Sequence, residues 1–421
     1  MPRLMIIAAI AASYFIFAIL LNSVGTVILQ SIDTFGVSKP EASTLEGFKD
    51  LSIAGVSFLV ASFIPRVGYK VALLAGLAIV GVLCISVPSI STFWAIKVLF
   101  AGVGTAFALV KVSVYALIGQ VTSSVRQHSS LMNTIEGIFM LGVLSGYWVF
   151  SAFIDPNNPA NSDWMNVYYL LAVIIVSVFV IVALAPIKPT EPVIQDGSAP
   201  SEFVAMLRLA YKPLVLIFIF SVFLYVLIEQ GIGTWLPTFN KEVLGLPSAM
   251  SVQLTSIFAV SLALGRLGAG AILARMHWYP FLNICLVGMG VLILVVLPMA
   301  EHVGSAVPSS LGDAPLAAFV LPLIGLLMAP LYPALNSVML SALPKNKHAP
   351  MTGLIVVFSA LGGTTGSIIT GLVFDGMGGQ RAFYLLLVPV TIMLITLYFY
   401  FRMSQNMTEE SASEAKEFAN E

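Results

Sequence analysis

"APIKPTEPVIQDGSAPSEF", residues 185–203, is the longest polar interruption in a chain of 421 residues. Its prolines and charges stop any helix from running through it, so it reads as a linker. What flanks it decides the fold. The whole chain is 59% hydrophobic and only 9% charged, with a mean hydropathy of +0.99. A soluble domain keeps about a quarter of its residues charged, so both flanks belong in a lipid bilayer. The net charge of −1 gives no basis for binding nucleic acid. Cys84 and Cys285 both fall in apolar runs and read as small core residues.

A helix crossing a bilayer core needs about 20 apolar residues. Apolar runs punctuated by Pro, Gly, Asn and charge number twelve: 5–30, 41–64, 70–88, 93–118, 128–153, 164–185, 212–238, 247–275, 278–299, 315–342, 349–374 and 380–402. The first run is too long for a signal-peptide core and reads as a span. The second is the least clean, because "EASTLEGFKD" (41–50) is polar. The linker separates six spans from six. The expected fold class is an all-α membrane protein with twelve transmembrane helices in two six-helix bundles, 1–185 and 212–402. A cytoplasmic linker at 186–211 joins them, and a tail at 403–421 is expected to be disordered. With the N-terminus inside, twelve Lys and Arg fall in inner loops and ends and four outside, which satisfies the positive-inside rule. Both termini are then cytoplasmic, and a bacterial inner membrane is the expected location.

The two halves also repeat. The first and seventh spans share "NSVGT" (22–26) and "QGIGT" (230–234). The fifth and eleventh carry Gly142 with Gly146, and Gly362 with Gly366. The sixth and twelfth open with "VYYLLAV" (167–173) and "AFYLLLV" (382–388). The offsets are 208, 220 and 215 residues, in the same order along the chain. Parallel six-helix repeats are the plan of the major facilitator superfamily, in which a solute binds at the midplane between halves that rock around it. The chain resembles that superfamily.

Local motifs resemble one branch of it. "PRVGYKVALLAG" (65–76), at the junction of the second and third spans, resembles the R-x-GYK form of the fucose–glucose–galactose proton symporter family. "KVLFAGVG" (97–104), "IEQGIGTWLPTF" (228–239) and "LALGRLGAGAILAR" (262–275) resemble its fourth, seventh and eighth helices. The resemblance implies a cation-coupled sugar symporter. The chain departs from it where fucose-type symporters carry acids: the first span has none before Asp33, and the fourth offers Phe107, Leu109 and then Lys111.

An ionisable group at bilayer depth costs about 2.5–3.5 kcal/mol on insertion scales, so it faces a cavity and a partner by default. Counting at ~1.5 Å per residue puts Lys111 and Glu136 roughly 13–15 Å from the inner face, on adjacent antiparallel spans. A Lys111–Glu136 pair is the economical expectation, with Arg266 of the eighth span at the same depth. Glu136 and Glu229 are the candidate coupling acids, for protons or sodium, since a buried carboxyl suits a proton carrier. Candidate solute-binding residues are Lys111, Arg266, Asn22, Thr26, Gln30, Tyr115, Asn133, Gln230 and Asn336. Trp235 adds an aromatic face for a sugar ring. Lys97 reads as structural, and the glycines of "LGGTTGSIITG" (361–371) as a sliding contact.

The chain carries no phosphate-binding GxxxxGK[ST] run and no His or Cys cluster for a metal, so it is not expected to be an enzyme. The leading expectation is a monomeric symporter of a small polar solute, a sugar or sugar derivative, by alternating access. The first alternative is an organic anion or sugar acid held by Lys111 and Arg266. Efflux of amphipathic compounds and a non-transporting receptor follow.

Overall fold

The computed structural model describes residues 2–187, 206, 208–300, 308–344 and 347–418. Most of the linker expected at 186–211 lies outside them. The first bundle holds α1 (Pro2–Asn22, continued past Ser23 by Val24–Phe35), α2 (Lys39–Val67), α3 (Tyr69–Ile90), α4 (Phe93–Val121), α5 (Val125–Ser151) and α6 (a 3-10 turn Ser162–Asn166, then Val167–Leu184). The second holds α7 (Pro213–Gly233, then Leu236–Glu242), α8 (Ser248–Leu273), α9 (Trp278–Ala300), α10 (from Leu316–Val320 through Leu331–Ala342), α11 (His348–Met377) and α12 (Gly379–Leu385, then Leu387–Phe418). All twelve expected spans are present as helices. Eleven are long and apolar enough to cross a membrane. The remaining one, α2, has the length but carries Glu41, Glu46, Lys49 and Asp50 in its first half. The tail expected to be disordered from 403 is helical to Phe418; it is rich in the helix formers Glu and Ala.

Local chemistry starts and stops the helices where the punctuation suggested. Ser38, Thr92 and Ser124 cap α2, α4 and α5, each hydroxyl accepting from the backbone N–H three residues on. The α2–α3 and α11–α12 turns pass through Gly68 and Gly378 at φ of 96° and 88°, where a side chain would be strained. Lys70 of the "GYK" motif donates to the carbonyls of Ala183 and Ala185 at 2.7 and 2.8 Å. It thereby satisfies the orphan carbonyls and the negative dipole end of α6.

The "NSVGT" and "QGIGT" matches mark the breaks in α1 and α7: the first helix is interrupted at Ser23 and the seventh between Gly233 and Leu236. The glycine pairs are packing surfaces of one design. A Cβ on Gly142 would strike Phe15 O of α1 at 2.6 Å, and Gly146 sits beside Ile19. On the other side, Gly362 and Gly366 press on Phe223 O and Leu227 O of α7. Gly104 likewise meets Lys49 O between α4 and α2, as Gly325 meets Phe258 O between α10 and α8. The two bundles therefore repeat down to individual backbone approaches. Across the molecule they meet along α2 with α11 and α5 with α8. Large apolar side chains such as Val82, Trp94, Leu141, Leu267 and Ile284 point outward, as a lipid-facing surface requires.

The closeness of the α7–α11 approach carries an expected outcome. Gly366→Val forces a side chain against backbone, an overpacking worth about 1–3 kcal/mol. Thermal unfolding in detergent should occur at lower temperature than for wild type, whereas Gly376→Ala, whose Cβ would meet open space, should leave it unchanged.

Candidate functional site

An even number of spans puts both termini on one face of the bundle. On the opposite face the halves are locked together. Lys241 of α7 reaches both carboxylate oxygens of Asp33 of α1 at 2.5 Å. Lys39 of α2 pairs with Glu242 at 3.2 Å and stands over the Phe374 ring. About two turns deeper, a Cβ on Gly25 would lie 2.6 Å from Thr234 O, so α1 and α7 touch backbone to backbone at their two breaks. Gln253 of α8 donates to Ser151 of α5 at 3.3 Å. These bonds form a seal on the face away from the termini.

Toward the termini face the charged groups keep part of their surface exposed, with Tyr14 and Tyr225 buried beside them. From the first half, Tyr14 of α1 donates to Tyr115 of α4 at 3.3 Å, and Tyr115 donates to Glu136 of α5 at 2.9 Å. From the second half, Tyr225 of α7 donates to Glu229 at 3.1 Å, and Arg266 of α8 pairs with the same carboxylate at 3.9 Å. Tyr332 of α10 packs on Tyr225, ring centroids 5.4 Å apart. Each half thus presents tyrosine hydroxyls on a glutamate beside a cation. The two sets sense each other, for Glu136 lies within electrostatic range of both Lys111 and Arg266. Arg266 keeps 43% of its side chain exposed, and Lys111 is exposed as well. A charged group that is both accessible and surrounded by helices faces water between the halves.

The expected Lys111–Glu136 pair does not form. The shared carboxylate is taken by Tyr115, one turn along the same face of α4, and no carboxylate stands within 4 Å of Lys111 among the described residues. The ammonium instead lies 5.8 and 6.0 Å from the Phe107 and Tyr115 rings, a cation–π setting. Trp235 cannot offer a ring to a solute. It is fully buried, its indole N–H donates to Ser367 O at 2.9 Å, and its ring packs on Phe374. Thr26 and Gln30 are also buried, and neither amide atom of Gln30 has a partner. Both follow the Ser23 break, in the stretch of α1 that carries Asp33. Asn22 is exposed and bonded to Ala18 O, Asn133 is exposed, and Asn336 is half-buried with its carbonyl oxygen unpartnered. Gln230 donates to Glu46 at 2.6 Å rather than standing free. Lys97 pairs with Glu41 at 3.4 Å and lies over the Phe93 ring at 4.5 Å, as a structural role requires.

One group escaped the sequence reading. Glu46, Lys49 and Asp50 of α2 are all buried. Lys49 binds Glu46 and lies 3.4 Å from Asp50, and Glu46 accepts from Gln230 and Thr234 of α7 at 2.6 and 3.1 Å. The available signal was the spacing in "LEGFKD" (45–50): positions i, i+3 and i+4 share one helix face. Glu46 and Lys49 line a cavity of about 160 Å³ between the halves together with Asn22, Tyr147, Glu229 and Gln230.

The Major Facilitator Superfamily model matches residues 10–364. No curated protein matches. Among solved structures, the nucleoside transporter NupG superposes with a TM-score of 0.70 at 14% identity, covering 96% of this chain and 98% of that one. A bacterial homologue of the human lysosomal transporter Spinster, in an inward-facing and occupied conformation, gives 0.73 at 14%, covering 95% and 96%. A variant of the E. coli fucose:proton symporter FucP gives 0.59 at 14%, covering 94% and 98%. At these identities the likeness is one of fold.

The seal makes a reversible prediction. Asp33→Lys places two like charges together and should make residues behind the seal reactive to a membrane-impermeant maleimide at an introduced Ser251→Cys. Combining it with Lys241→Asp restores the pair and should return labelling to the background level.

Proposed function

This chain belongs to the major facilitator superfamily, and we propose that it is a cation-coupled symporter of a small polar solute, a sugar or sugar derivative, working as a monomer by alternating access. The solute binds between the halves where Lys111, Tyr115 and Glu136 face Glu229, Arg266 and Tyr332. One observation carries the reading: Lys111 and Glu136 of one half and Glu229 and Arg266 of the other, each glutamate held by a tyrosine hydroxyl, keep exposed surface on the termini side, while bonds between the halves close the other side. A solute bridging the two sets has a way in on one face and, once the seal opens, on the other. The tyrosine hydroxyls and carboxylates suit a polyhydroxylated ligand, and the half-buried Phe139 ring, backed by the buried rings of Tyr14 and Phe107, suits the apolar face of a pyranose. The Lys and Arg bias supports cytoplasmic termini, and on that reading the open side faces inward.

The second reading keeps the fold and changes the solute to an organic anion or sugar acid. Lys111 favours it, since an exposed ammonium with no carboxylate within 4 Å among the described residues retains donors for a ligand carboxylate or phosphate. Both readings engage Lys111 and Arg266. They differ in whether the ligand must carry charge.

Uptake into proteoliposomes separates them. Labelled neutral and acidic sugars are offered under imposed proton or sodium gradients. For the preferred solute, Lys111→Gln should weaken apparent affinity roughly ten- to hundredfold, the value of one hydrogen bond to a charged group. If Lys111→Gln takes up every solute as well as wild type does, the binding site lies elsewhere.

A further inference from the structure

The charges on α2 do not balance where they are buried. Glu46, Lys49 and Asp50 are 1%, 6% and 9% exposed, and two carboxylates share one ammonium. Glu46 is satisfied as an anion, with Lys49, the Gln230 amide and the Thr234 hydroxyl all donating to it. Asp50 is held less closely: one oxygen lies 3.4 Å from Lys49, the single ion pair it makes among the described residues, and the other lies against Gly363 of α11, where a Cβ would collide with it. Among the described residues, the elements packed around this point bring no second cation. The α7 helix contributes Glu229 and Gln230, α5 contributes Tyr147, α4 and α11 contribute Gly104, Gly363 and Thr364, and Asn22 of α1 lines the adjoining cavity. Arg266 is already engaged with Glu229. One negative charge is left over, and it falls on Asp50.

We propose that Asp50 is the proton-binding residue of this transporter and that its protonation is linked to closure of the seal. The inference rests on the transport reading above and identifies the coupling ion and its site. When the halves part on the sealed face, water reaches Asp50 and solvates its carboxylate. When α2 closes on Gly363, that water is lost, and closure is favoured once a proton has bonded to the free oxygen. Release breaks the same O–H bond. The proton passes to water in the cavity beside Lys49 and on to the Glu229 carboxylate, which the open chamber reaches. A proton fits better than a metal cation, because the Lys49 ammonium already occupies the place between the two carboxylates.

The test uses the full chain in vesicles without solute. Spin labels at Ser38→Cys and Ala249→Cys report the width of the seal, the native thiols of Cys84 and Cys285 being buried. Raising the pH should lengthen the label separation in the otherwise wild-type protein. Asp50→Asn should hold the sealed distance at every pH, and Asp50→Glu should keep a pH response. In parallel, infrared spectra of the wild type should contain a protonated-carboxyl stretch that titrates with the separation. An unchanged response in Asp50→Asn, a response abolished by Glu46→Gln instead, or no such stretch in the wild type would each overturn the assignment. Solute uptake by the same vesicles distinguishes the two levels: uptake that persists on a sodium gradient alone removes Asp50 as carrier and leaves the transport reading standing, whereas vesicles that take up no solute while the seal still responds to pH remove only the transport reading.

Discussion

A charge held at bilayer depth survives only where a counter-charge, a hydrogen-bond donor or water meets it, and that constraint arranges the interior of this protein. Glu136 and Glu229 each accept from a tyrosine hydroxyl. Arg266 reaches across to Glu229, and Glu46 gathers an ammonium, an amide and a hydroxyl. Several of these partners come from a different helix, and for Glu46 the amide and the hydroxyl come from the other half of the molecule. Electrostatics therefore ties the bundles to each other on one side and leaves solvated charges facing each other on the other side. An interface built from a few directional bonds and small-residue contacts can exchange partners at modest cost. A continuous hydrophobic core could not.

The repeat explains how such an interface is positioned. In each half a glycine pair lets the fifth-position helix lie against the backbone of the first-position helix, at Phe15 and Ile19 in one half and at Phe223 and Leu227 in the other. In each half a further glycine draws the fourth-position helix onto the second, at Lys49 and at Phe258. The same skeleton then carries different chemistry. The second helix of the first half bears a charged triad where its counterpart α8 presents Thr255 and Phe258. Function resides in the asymmetry laid over a symmetric frame.

Much of this was legible along the chain. The twelve helices follow from hydrophobic length, the two bundles from the linker and the displaced glycine and "NSVGT"/"QGIGT" matches, and the need of Glu136, Glu229, Lys111 and Arg266 for water or a partner from the cost of charge in lipid. Three readings went astray for physical reasons. Trp235 looked like a ligand platform because an aromatic at a broken helix has no sequence mark that tells a buried ring from an exposed one. Lys111 and Glu136 were matched by depth alone, and depth says nothing about Tyr115 standing between them. The second run reads only as polar over 41–50, with no mark of a buried triad, because its charges cluster near one terminus, where water is normally close.

Sequence alone determined what each segment had to do: cross the membrane, approach closely at glycine, or carry a charge that needed an answer. These are properties of length, periodicity and the solvation of single side chains, and they act within a helix. Tertiary structure decided which charge answers which. Pairing depends on the rotation and depth of one helix against another to within an ångström or two, and on which face of the bundle is shut. Glu46 found Gln230 and Thr234 nearly two hundred residues away, and Asp50 was left against a glycine. No local pattern encodes that distance, because it is set by the packing of all twelve helices at once.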